Sequence, residues 1–286
     1  MMSHPIIDEE TLNAYLIPMS PIDTGVASKL TVSLDIKAVL FDIYGTLFIS
    51  GSGDVGVSKE RSRKLSVLDD LMTKFSVKEP ADHILKRFYL EINKTHEQLK
   101  KNGIDVPEVN IDLIWMEVLG IGDIDTARAF AVEFELINNP VYPMPNMAEV
   151  LGEVEKKNMV TGIISNAQFF TPFLFKWFLG KDPTELGFHP DLTIYSYQYN
   201  TAKPSPFLFS LAADKLSELG IPAGSAVYIG NDMLNDIYAA KLAGFKTALF
   251  AGDKRSLRLR ESDPRCRDIS PDVIVTDLAQ LNNLFS

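Results

Sequence analysis

Residues 36–48 have the sequence IKAVLFDIYGTLF, and this stretch decides the fold. An apolar run of strand-like length ends at a single carboxylate, Asp42, and a turn containing Gly45 and Thr46 follows at once. A short apolar run bounded by a turn signal is typical of a strand buried on both faces of a parallel sheet. In open α/β sheets, ligands bind beyond the carboxyl ends of the strands, where Asp42 would lie. An aspartate here can also simply cap a turn, so the choice depends on the later strands.

The composition predicts a soluble protein of one or two domains. The 286 residues are 46% apolar and 23% charged, with a net charge of −10, which is ordinary for globular chains. The negative charge argues against nucleic acid or an anionic membrane as partner. No segment approaches the ~20 apolar residues of a membrane span, and the N-terminus lacks a signal-peptide pattern. The single cysteine, Cys266, cannot form an internal disulfide, so we expect a cytoplasmic location. Oligomeric state is left open.

Three regions are predicted. Residues 1–35 form an irregular N-terminal extension, 36–56 together with 141–286 form an α/β core, and 57–140 form a helical cap. The cap prediction comes from apolar residues that recur at three- and four-residue spacing, as in Ile84, Leu85 and Phe88, with charged residues on the opposite face.

Two features near the start of the cap have simple interpretations. The glycine-rich residues 49–56 predict a linker, since they lack the Lys-Ser/Thr ending of a phosphate-binding loop. The basic residues Lys59, Arg61, Arg63 and Lys64 predict a solvated face. The less favoured alternative is that these cations, beside the predicted hinge, meet an anionic substrate.

From residue 142 onward, strand and helix patterns alternate. After a turn at 142–145, strands are predicted at 159–164, 192–197, 226–229, 246–250 and 273–275, with helices between them and a charged loop over 255–267. Repeated β-α-β units predict a parallel sheet with right-handed crossovers and helices on both faces, a three-layer α/β fold.

Four strand ends in this fold carry polar residues: Asp42, Ser165, Lys203 and the pair Asp232 and Asp236. Parallel strands bring all of these ends to one edge of the sheet. Clustered carboxylates repel one another unless a cation lies between them, and oxygen ligands suit Mg²⁺. Lys203 supplies a point charge for a phosphate and for the carboxylates. In such surroundings Asp42 can act as a nucleophile and form a covalent intermediate.

The ordered segments DIYGT (42–46), Ser165-Asn166, Lys203-Pro204 and GNDMLND (230–236) resemble the four motifs of the haloacid dehalogenase (HAD) superfamily. The resemblance covers residues 36–286. It implies a Rossmann-like core with a helical cap inserted between motifs one and two. It also implies the following roles: Asp42 as nucleophile; Mg²⁺ bound by Asp42, the backbone carbonyl of Tyr44, Asp232 and Asp236, the last as ligand or water-orienting group; and phosphate binding by Thr46, Ser165, Asn166 and Lys203.

One position departs from the phosphatases of this superfamily. They usually carry a second aspartate two residues after the nucleophile, as the general acid, and here that position is Tyr44. A tyrosine with a pKa near ~10 is a poor proton donor at neutral pH. We nevertheless predict Tyr44 as a catalytic residue together with Asp42 and Lys203, because the reaction type depends on this position. The Asp-x-Tyr-Gly-Thr pattern resembles the 2-haloacid dehalogenases, which work without metal. Two other positions differ from those enzymes, since Asp232 adds a carboxylate and Phe209 stands where a tyrosine is expected.

The favoured prediction is a Mg²⁺-dependent phosphatase of small phosphorylated metabolites that forms an aspartyl-phosphate at Asp42. Another group, or a metal-bound water, would then replace the missing acid, and the substrate would be a small anion. Two alternatives stay open. One is a 2-haloacid dehalogenase-type hydrolase, and the other is a low-activity protein that mainly binds a ligand.

Overall fold

The computed structural model describes residues 7–30, 36–51 and 58–284 of the chain. The strands, in chain order, are β1 (Ala38–Phe41), β2 (Phe48–Ser50), β3 (Val141–Pro143), β4 (Val160–Ser165), β5 (Phe188–Tyr195), β6 (Ala226–Gly230), β7 (Lys246–Phe250) and β8 (Val273–Val275). The α-helices are α1 (Glu9–Tyr15), α2 (Ser58–Lys74), α3 (Ala81–Lys101), α4 (Ile111–Leu119), α5 (Ile124–Asn138), α6 (Met147–Lys156), α7 (Thr171–Leu179), α8 (Ser196–Tyr199), α9 (Phe207–Glu218) and α10 (Ala239–Leu242), and a π-helical turn spans Met233–Tyr238.

The opening stretch forms the central strand of the sheet. The sheet has six parallel strands in the order β5-β4-β1-β6-β7-β8, so β1 lies between β4 and β6. Leu40 pairs with Gly162 on one side and with Tyr228 on the other, and every residue of β1 is buried. Helices flank the sheet, and all its strands point their carboxyl ends to the same edge. The predicted α/β class with a Rossmann-like core is confirmed.

Three predicted boundaries are wrong. The predicted linker begins at residue 49, but Ile49 and Ser50 belong to β2. Residues 142–145 were expected to form a turn, but Val141–Pro143 form β3, which pairs antiparallel with β2. The strand expected at 192–197 runs instead over Phe188–Tyr195, and a short helix follows from Ser196. The Ser196 hydroxyl explains this early end, because it accepts a hydrogen bond from the Ala167 N–H and donates one to Glu108. Such side-chain bonds turn a chain out of the extended conformation.

Helices α2 to α5 lie between β2 and β3 and have an aromatic core of their own. Trp115 is fully buried; it stacks on Phe88 with 4.2 Å between ring centroids and meets Phe130 and Phe134 at 4.7 and 4.6 Å. Residues 52–56 of the predicted linker, and the side chains of Lys59, Arg61, Arg63 and Lys64, lie outside the described residues. Among the described helices, none combines the length and the apolar character that a bilayer crossing requires.

The N-terminal extension is more ordered than predicted. It contains α1, whose N-cap Asp8 accepts a hydrogen bond from the Thr11 N–H at 2.8 Å, and α1 packs against the cap helices through Leu12 and Tyr15. Sequence patterning missed α1 because seven residues give too short a periodic signal.

Residues 17–30 then run along the core to the loop that follows β7. The Ile22 N–H donates to Asp253 Oδ1 at 3.1 Å, and Ser20 O accepts from Arg255 Nη2 at 2.5 Å. Farther along, Lys29 forms a bridge with Ile274 of β8. One N-terminal segment therefore contacts both the cap and the loop after β7.

Candidate active site

Asp42 stands at the carboxyl end of β1, where its N–H still bonds to Ile229 O of β6 at 2.8 Å. Its Oδ1 accepts hydrogen bonds from Ser165 Oγ and from Lys203 Nζ, both at 2.8 Å. Asp42 and Lys203 are only 7% and 4% exposed, so their charges attract strongly. No group among the described residues donates a hydrogen bond to Oδ2 of Asp42. The carboxylate thus has one oxygen fixed by the protein and one available to react.

Lys203 joins Asp42 to a second carboxylate. Its Nζ donates to Asp236 Oδ1 at 2.6 Å and contacts the Tyr228 hydroxyl at 2.9 Å. Burial alone would lower the pKa of Lys203, but the Asp236 and Asp42 carboxylates outweigh it and raise that pKa. Burial raises the pKa of Asp236 to about 6, against the opposing effect of the Lys203 ammonium. Lys203 therefore stays charged, while Asp236 can exchange a proton near neutral pH.

A glycine at the end of β6 makes room for Asp236. A Cβ at Gly230 would lie 2.5 Å from Asp236 Oδ2, which is too close for any side chain. The carboxylate uses this space to accept a hydrogen bond from the Asp232 N–H at 2.9 Å. Tyr228, two residues before the glycine, packs edge-on against Phe209 at 4.8 Å. Tyr228 of β6 therefore supplies a hydroxyl beside Lys203. It lies next to Phe209, which stands where the dehalogenases are expected to carry a tyrosine.

The turn after Asp42 packs against the loop that follows β7. Gly45 has φ +83°, and a Cβ there would collide with Ser256 and lie 2.8 Å from Asn231 Nδ2. Thr46 Oγ1 donates to Asn231 Oδ1 at 3.1 Å, and Asn231 Nδ2 donates to Ser256 O at 2.7 Å. In the fourth motif it is thus Asn231, rather than Asp232, whose side chain contacts the turn beside the nucleophile.

Asp232 has a different set of partners. Arg260, from the charged loop 255–267, donates to it through Nε, which is 3.1 Å from each carboxylate oxygen, and through Nη2, which is 2.5 Å from Oδ2. Oδ1 also caps the π-helical turn by accepting the N–H groups of Leu234 and Asn235. The Arg260 side chain is 39% exposed and the Asp232 side chain 9%, so this ion pair lies at the edge of the buried region.

These hydrogen bonds leave few carboxylate oxygens free to bind a magnesium ion. Of the six carboxylate oxygens of Asp42, Asp232 and Asp236, five accept hydrogen bonds from protein groups. Within the described residues, no group of three or more Asp, Glu, His or Cys side chains is arranged to hold a metal. Mg²⁺ demands several oxygens in near-octahedral geometry. The predicted ligand set therefore does not fit the ion in this arrangement, chiefly because Arg260 already supplies the counter-charge of Asp232.

The surroundings of Tyr44 make it a poor proton donor. Its hydroxyl lies 3.0 Å from Thr171 Oγ1 at the start of α7. Burial, reinforced by the nearby Glu135 carboxylate, raises the pKa of Tyr44 above its ordinary value. A phenol with a raised pKa binds its proton more tightly, which argues against Tyr44 as a general acid. The catalytic role of Tyr44 stays a prediction.

Asn166, in the second motif, holds the backbone of Lys203 in the third motif and forms no described hydrogen bond with Asp42. Its Oδ1 accepts the Lys203 N–H at 2.7 Å, and its Nδ2 donates to Lys203 O at 3.2 Å. These two bonds fix the backbone from which the lysine side chain extends. Its predicted role in phosphate binding stays a prediction.

A cavity of about 280 Å³ adjoins the site on its cap side. Tyr44 and Asn166 contribute to it from the strand ends, and α5 contributes Glu135 and Asn139. Its polar lining consists of Tyr44, Ser50, Glu108, Glu135, Asn139, Asn166 and Gln168.

The structure thus brings Asp42, Ser165, Lys203 and Asp236 together and links Thr46 to the same edge through Asn231. Sequence reasoning missed Arg260, Tyr228, Thr171, Ser256 and Glu135 as neighbours of the site. None of them belongs to a motif. The sequence offered only one signal for Arg260, which is that it lies in a loop rich in charged residues.

Fold and site together place a buried aspartate at the carboxyl end of the central strand of a parallel α/β sheet. The haloacid dehalogenase-like hydrolase family model matches residues 36–244. The chain belongs to this family.

Solved structures of similar fold include both kinds of enzyme considered above. A 2-haloacid dehalogenase from Pseudomonas syringae pv. Tomato DC3000 is 21% identical with a TM-score of 0.53, covering 87% of this chain and 97% of that one. A HAD phosphatase from Thermococcus onnurineus is 17% identical with a TM-score of 0.52, covering 88% and 98%. An L-2-haloacid dehalogenase from Xanthobacter autotrophicus with covalently bound chloropropionic acid is 17% identical with a TM-score of 0.50, covering 87% and 98%. A comparison with curated proteins finds no match. These likenesses support the fold and leave the reaction open.

Proposed function

We propose that the protein is a metal-independent hydrolase that displaces a halide from carbon through an ester on Asp42. The observation that carries this proposal is the unequal state of the two Asp42 oxygens. Lys203 and Ser165 hold Oδ1, while Oδ2 has no hydrogen-bond donor among the described residues. An oxygen that need not break a hydrogen bond is the better nucleophile, and the bonds to Oδ1 orient it.

The first step needs no acid. Asp42 Oδ2 forms a bond to the substrate carbon as the carbon–halogen bond breaks, and the halide leaves with the electron pair. Tyr44, with its raised pKa and its contact to Thr171, suits a reaction whose leaving group takes no proton. An alkoxide leaving a phosphate ester would require a proton donor at this position.

The second step regenerates the carboxylate. Water adds to Cγ of Asp42, the ester bond between Cγ and the substrate oxygen breaks, and the alcohol leaves with a proton. One oxygen from water stays in Asp42. Asp236 is the candidate acceptor of the water's proton, because Lys203 holds it beside Asp42 and its pKa is about 6. During the addition, Lys203 and Ser165 stabilise negative charge on the former Oδ1.

A Mg²⁺-dependent phosphatase is the second candidate, and it was the prediction favoured on sequence alone. Its support is the pairing of Lys203 with Asp42 and Asp236, with Asp232 bonded to Asp236, and the Mg²⁺ role that the family resemblance implies for these three carboxylates. It would require Arg260 to release Asp232, and it would require a proton donor other than Tyr44. Both requirements run against the hydrogen bonds described above, so we rank it below the halide reaction.

The position of an isotope label distinguishes the two reactions. We would incubate an excess of protein with a panel of haloalkanoates or phosphate esters, in water enriched in heavy oxygen and with EDTA, and measure the mass of the Asp42 peptide. Halide release with label in Asp42 is expected, since water attacks Cγ. Phosphate release that requires added Mg²⁺, with label in the phosphate, would instead establish the phosphatase. If Asp42→Asn alters no reaction in the panel, the ligand-binding alternative gains.

A further inference from the structure

The cavity lined by Tyr44 and Asn166, which stand next to Asp42 and Ser165 in the motifs, is where the rest of a substrate would lie. Tyr44 is two residues from the nucleophile and Asn166 directly follows Ser165, so one wall of the cavity belongs to the catalytic edge of the sheet. The opposite wall comes from the cap through Glu135 and Asn139 of α5. A molecule whose reacting carbon meets Asp42 therefore extends between these two walls.

The charge of this cavity is opposite to what an anionic substrate needs. Its described lining contains two carboxyl groups and three amides but no lysine, arginine or histidine. The cation nearest to the nucleophile, Lys203, already binds Asp42 and Asp236. A carboxylate or phosphate on the distal part of a substrate would face Glu108 and Glu135 without a described counter-charge, which is costly in a partly desolvated site.

The two glutamates differ in how many of their carboxylate oxygens accept hydrogen bonds. Glu108 is fully occupied, because its oxygens accept hydrogen bonds from the Val109 N–H, Gln168 Nε2 and Ser196 Oγ. Glu135 accepts one hydrogen bond, from Asn139 Nδ2 to Oε1 at 2.9 Å, and none of the described residues donates to its Oε2. Glu108 therefore stabilises the local structure, whereas Glu135, which lines the cavity, keeps one acceptor oxygen without a described donor.

The surroundings of Glu135 favour a cationic partner. Burial raises the pKa of Glu135, which the Asn139 hydrogen bond offsets only in part. A buried carboxylate without an opposite charge is held at a cost, and a cation bearing N–H donors removes that cost. Ammonium groups provide three such donors.

We propose that Glu135 is a specificity-determining residue that binds an ammonium group on the substrate while Asp42 attacks its halogenated carbon. This inference rests on the proposed function for the reaction, but the binding of the ammonium group can be measured separately. It replaces the small anionic substrate expected from the sequence with a small amine.

The test compares bromopropylamine, bromopropanol and bromopropionate, each with bromine on the terminal carbon, as substrates for bromide release. Their products aminopropanol and hydroxypropionate serve as ligands in calorimetric titrations without turnover. The variants are Glu135→Gln, which removes the charge at nearly constant shape, and Asp125→Asn as the control. Asp125 is an exposed residue in the first turn of the same helix, so its variant matches the change in net charge.

We expect the native protein and Asp125→Asn to prefer bromopropylamine over bromopropionate in kcat/KM and to bind aminopropanol more tightly than hydroxypropionate. Glu135→Gln should weaken aminopropanol binding about tenfold, the value of a charge-assisted hydrogen bond, and remove the substrate preference. Tighter binding of hydroxypropionate, unchanged aminopropanol binding in Glu135→Gln, or no binding of aminopropanol would overturn the inference.

The two proposals fail in different ways. If no compound releases bromide but aminopropanol binding depends on Glu135, the amine site stands and the halide reaction is wrong. If all three compounds release bromide equally and Glu135→Gln changes nothing, the reaction stands and the amine site is wrong.

Discussion

Arg260 donates hydrogen bonds to both carboxylate oxygens of Asp232, and this two-oxygen contact occupies a group expected to bind metal. A guanidinium presents its donors in a fixed planar arrangement that matches a carboxylate. The pair therefore supplies the positive charge that a divalent ion would bring. Asp232 is connected in turn to the nucleophile through its N–H bond to Asp236 and through Lys203.

Removing this arginine should create an affinity for magnesium. In Arg260→Ala the Asp232 carboxylate loses its ion pair, and we expect the free energy of unfolding to fall by about 1–3 kcal/mol. Added Mg²⁺ should then raise the Tm of the variant through binding to the folded state, with little effect on the native protein. Thermal unfolding with and without MgCl₂ measures both effects.

Arg265→Ala is the matched control, because Arg265 lies in the same loop, is exposed and pairs with Asp263 instead. It should show neither effect. Equal stabilisation of the native protein and Arg260→Ala by Mg²⁺ would show that Arg260 does not exclude the ion.

Asp236→Asn should separate the two chemical steps. Without the proton acceptor, halide release should continue for one turnover while the ester on Asp42 accumulates, with its hydrolysis slowed about 10²–10⁴-fold. Mass spectrometry of the intact protein detects the added substrate mass. If the variant turns over normally, water is activated by another group.

The pH dependence of ester hydrolysis should follow Asp236. The pKa of Asp236 is raised from 3.8 to about 6, so the fraction of proton-accepting carboxylate falls as pH drops through about 6. We therefore expect hydrolysis to slow tenfold per pH unit below that value while alkylation of Asp42 stays faster. Stopped single turnovers across this range, analysed for halide and alcohol, give both rates. A hydrolysis rate that is flat down to pH 4–5 would exclude this assignment.

Tyr44→Phe should retain activity. The variant loses a hydrogen bond to Thr171, whose hydroxyl still accepts the Gln168 N–H at 3.1 Å, so the structure should tolerate the change. We expect halide release within about tenfold of the native rate, consistent with a hydrogen bond of about 1 kcal/mol. A general acid would instead be worth about 10²–10⁴-fold. Steady-state kinetics at neutral pH distinguishes these values, and a loss in the larger range would restore the catalytic role predicted for Tyr44.

Gly45→Ala tests the packing of the first motif. The positive φ at Gly45 costs an alanine about 1–3 kcal/mol, and its Cβ would also collide with Ser256. Gly180 has a φ of +71° with no atom near its would-be Cβ, so Gly180→Ala carries the backbone cost alone. We expect Gly45→Ala to lower the free energy of unfolding more than Gly180→Ala does, by denaturant titration. Equal effects would mean that the loop carrying Ser256 moves aside at no cost.

The sequence allowed the sheet to be predicted because β1 and β6 are buried on both faces and are therefore continuously apolar. The proximity of the polar residues at the strand ends could also be predicted, because all strands of a parallel sheet end at the same edge. The two-stranded ribbon of β2 and β3 escaped prediction because each strand is only three residues long. Short pairs are stabilised by the contacts between distant segments, which a local pattern does not contain.

The ion pair of Arg260 and the acceptor of Glu135 were beyond prediction for a related reason. Arg260 is twenty-eight residues from Asp232, in a loop whose composition suggests only exposure to solvent. Glu135 lies on a helix of mixed polarity, and its position relative to Tyr44 depends on how the cap packs on the core. The motifs supply Asp42 and Lys203, whereas the charges that we propose decide metal and substrate lie on a loop and a helix without a motif.

The N-terminal segment contacts the same loop that delivers Arg260 and Ser256. Ser20 and Ile22 bond to Arg255 and Asp253, which lie at the start of that loop. A fragment trimmed to begin at the first strand would keep every motif residue but lose these anchors. Because these anchors hold the start of the loop that carries Arg260, we expect such a fragment to give misleading assays of metal requirement. Residues 17–30 therefore help to place the charge beside Asp232 by holding the loop that carries Arg260.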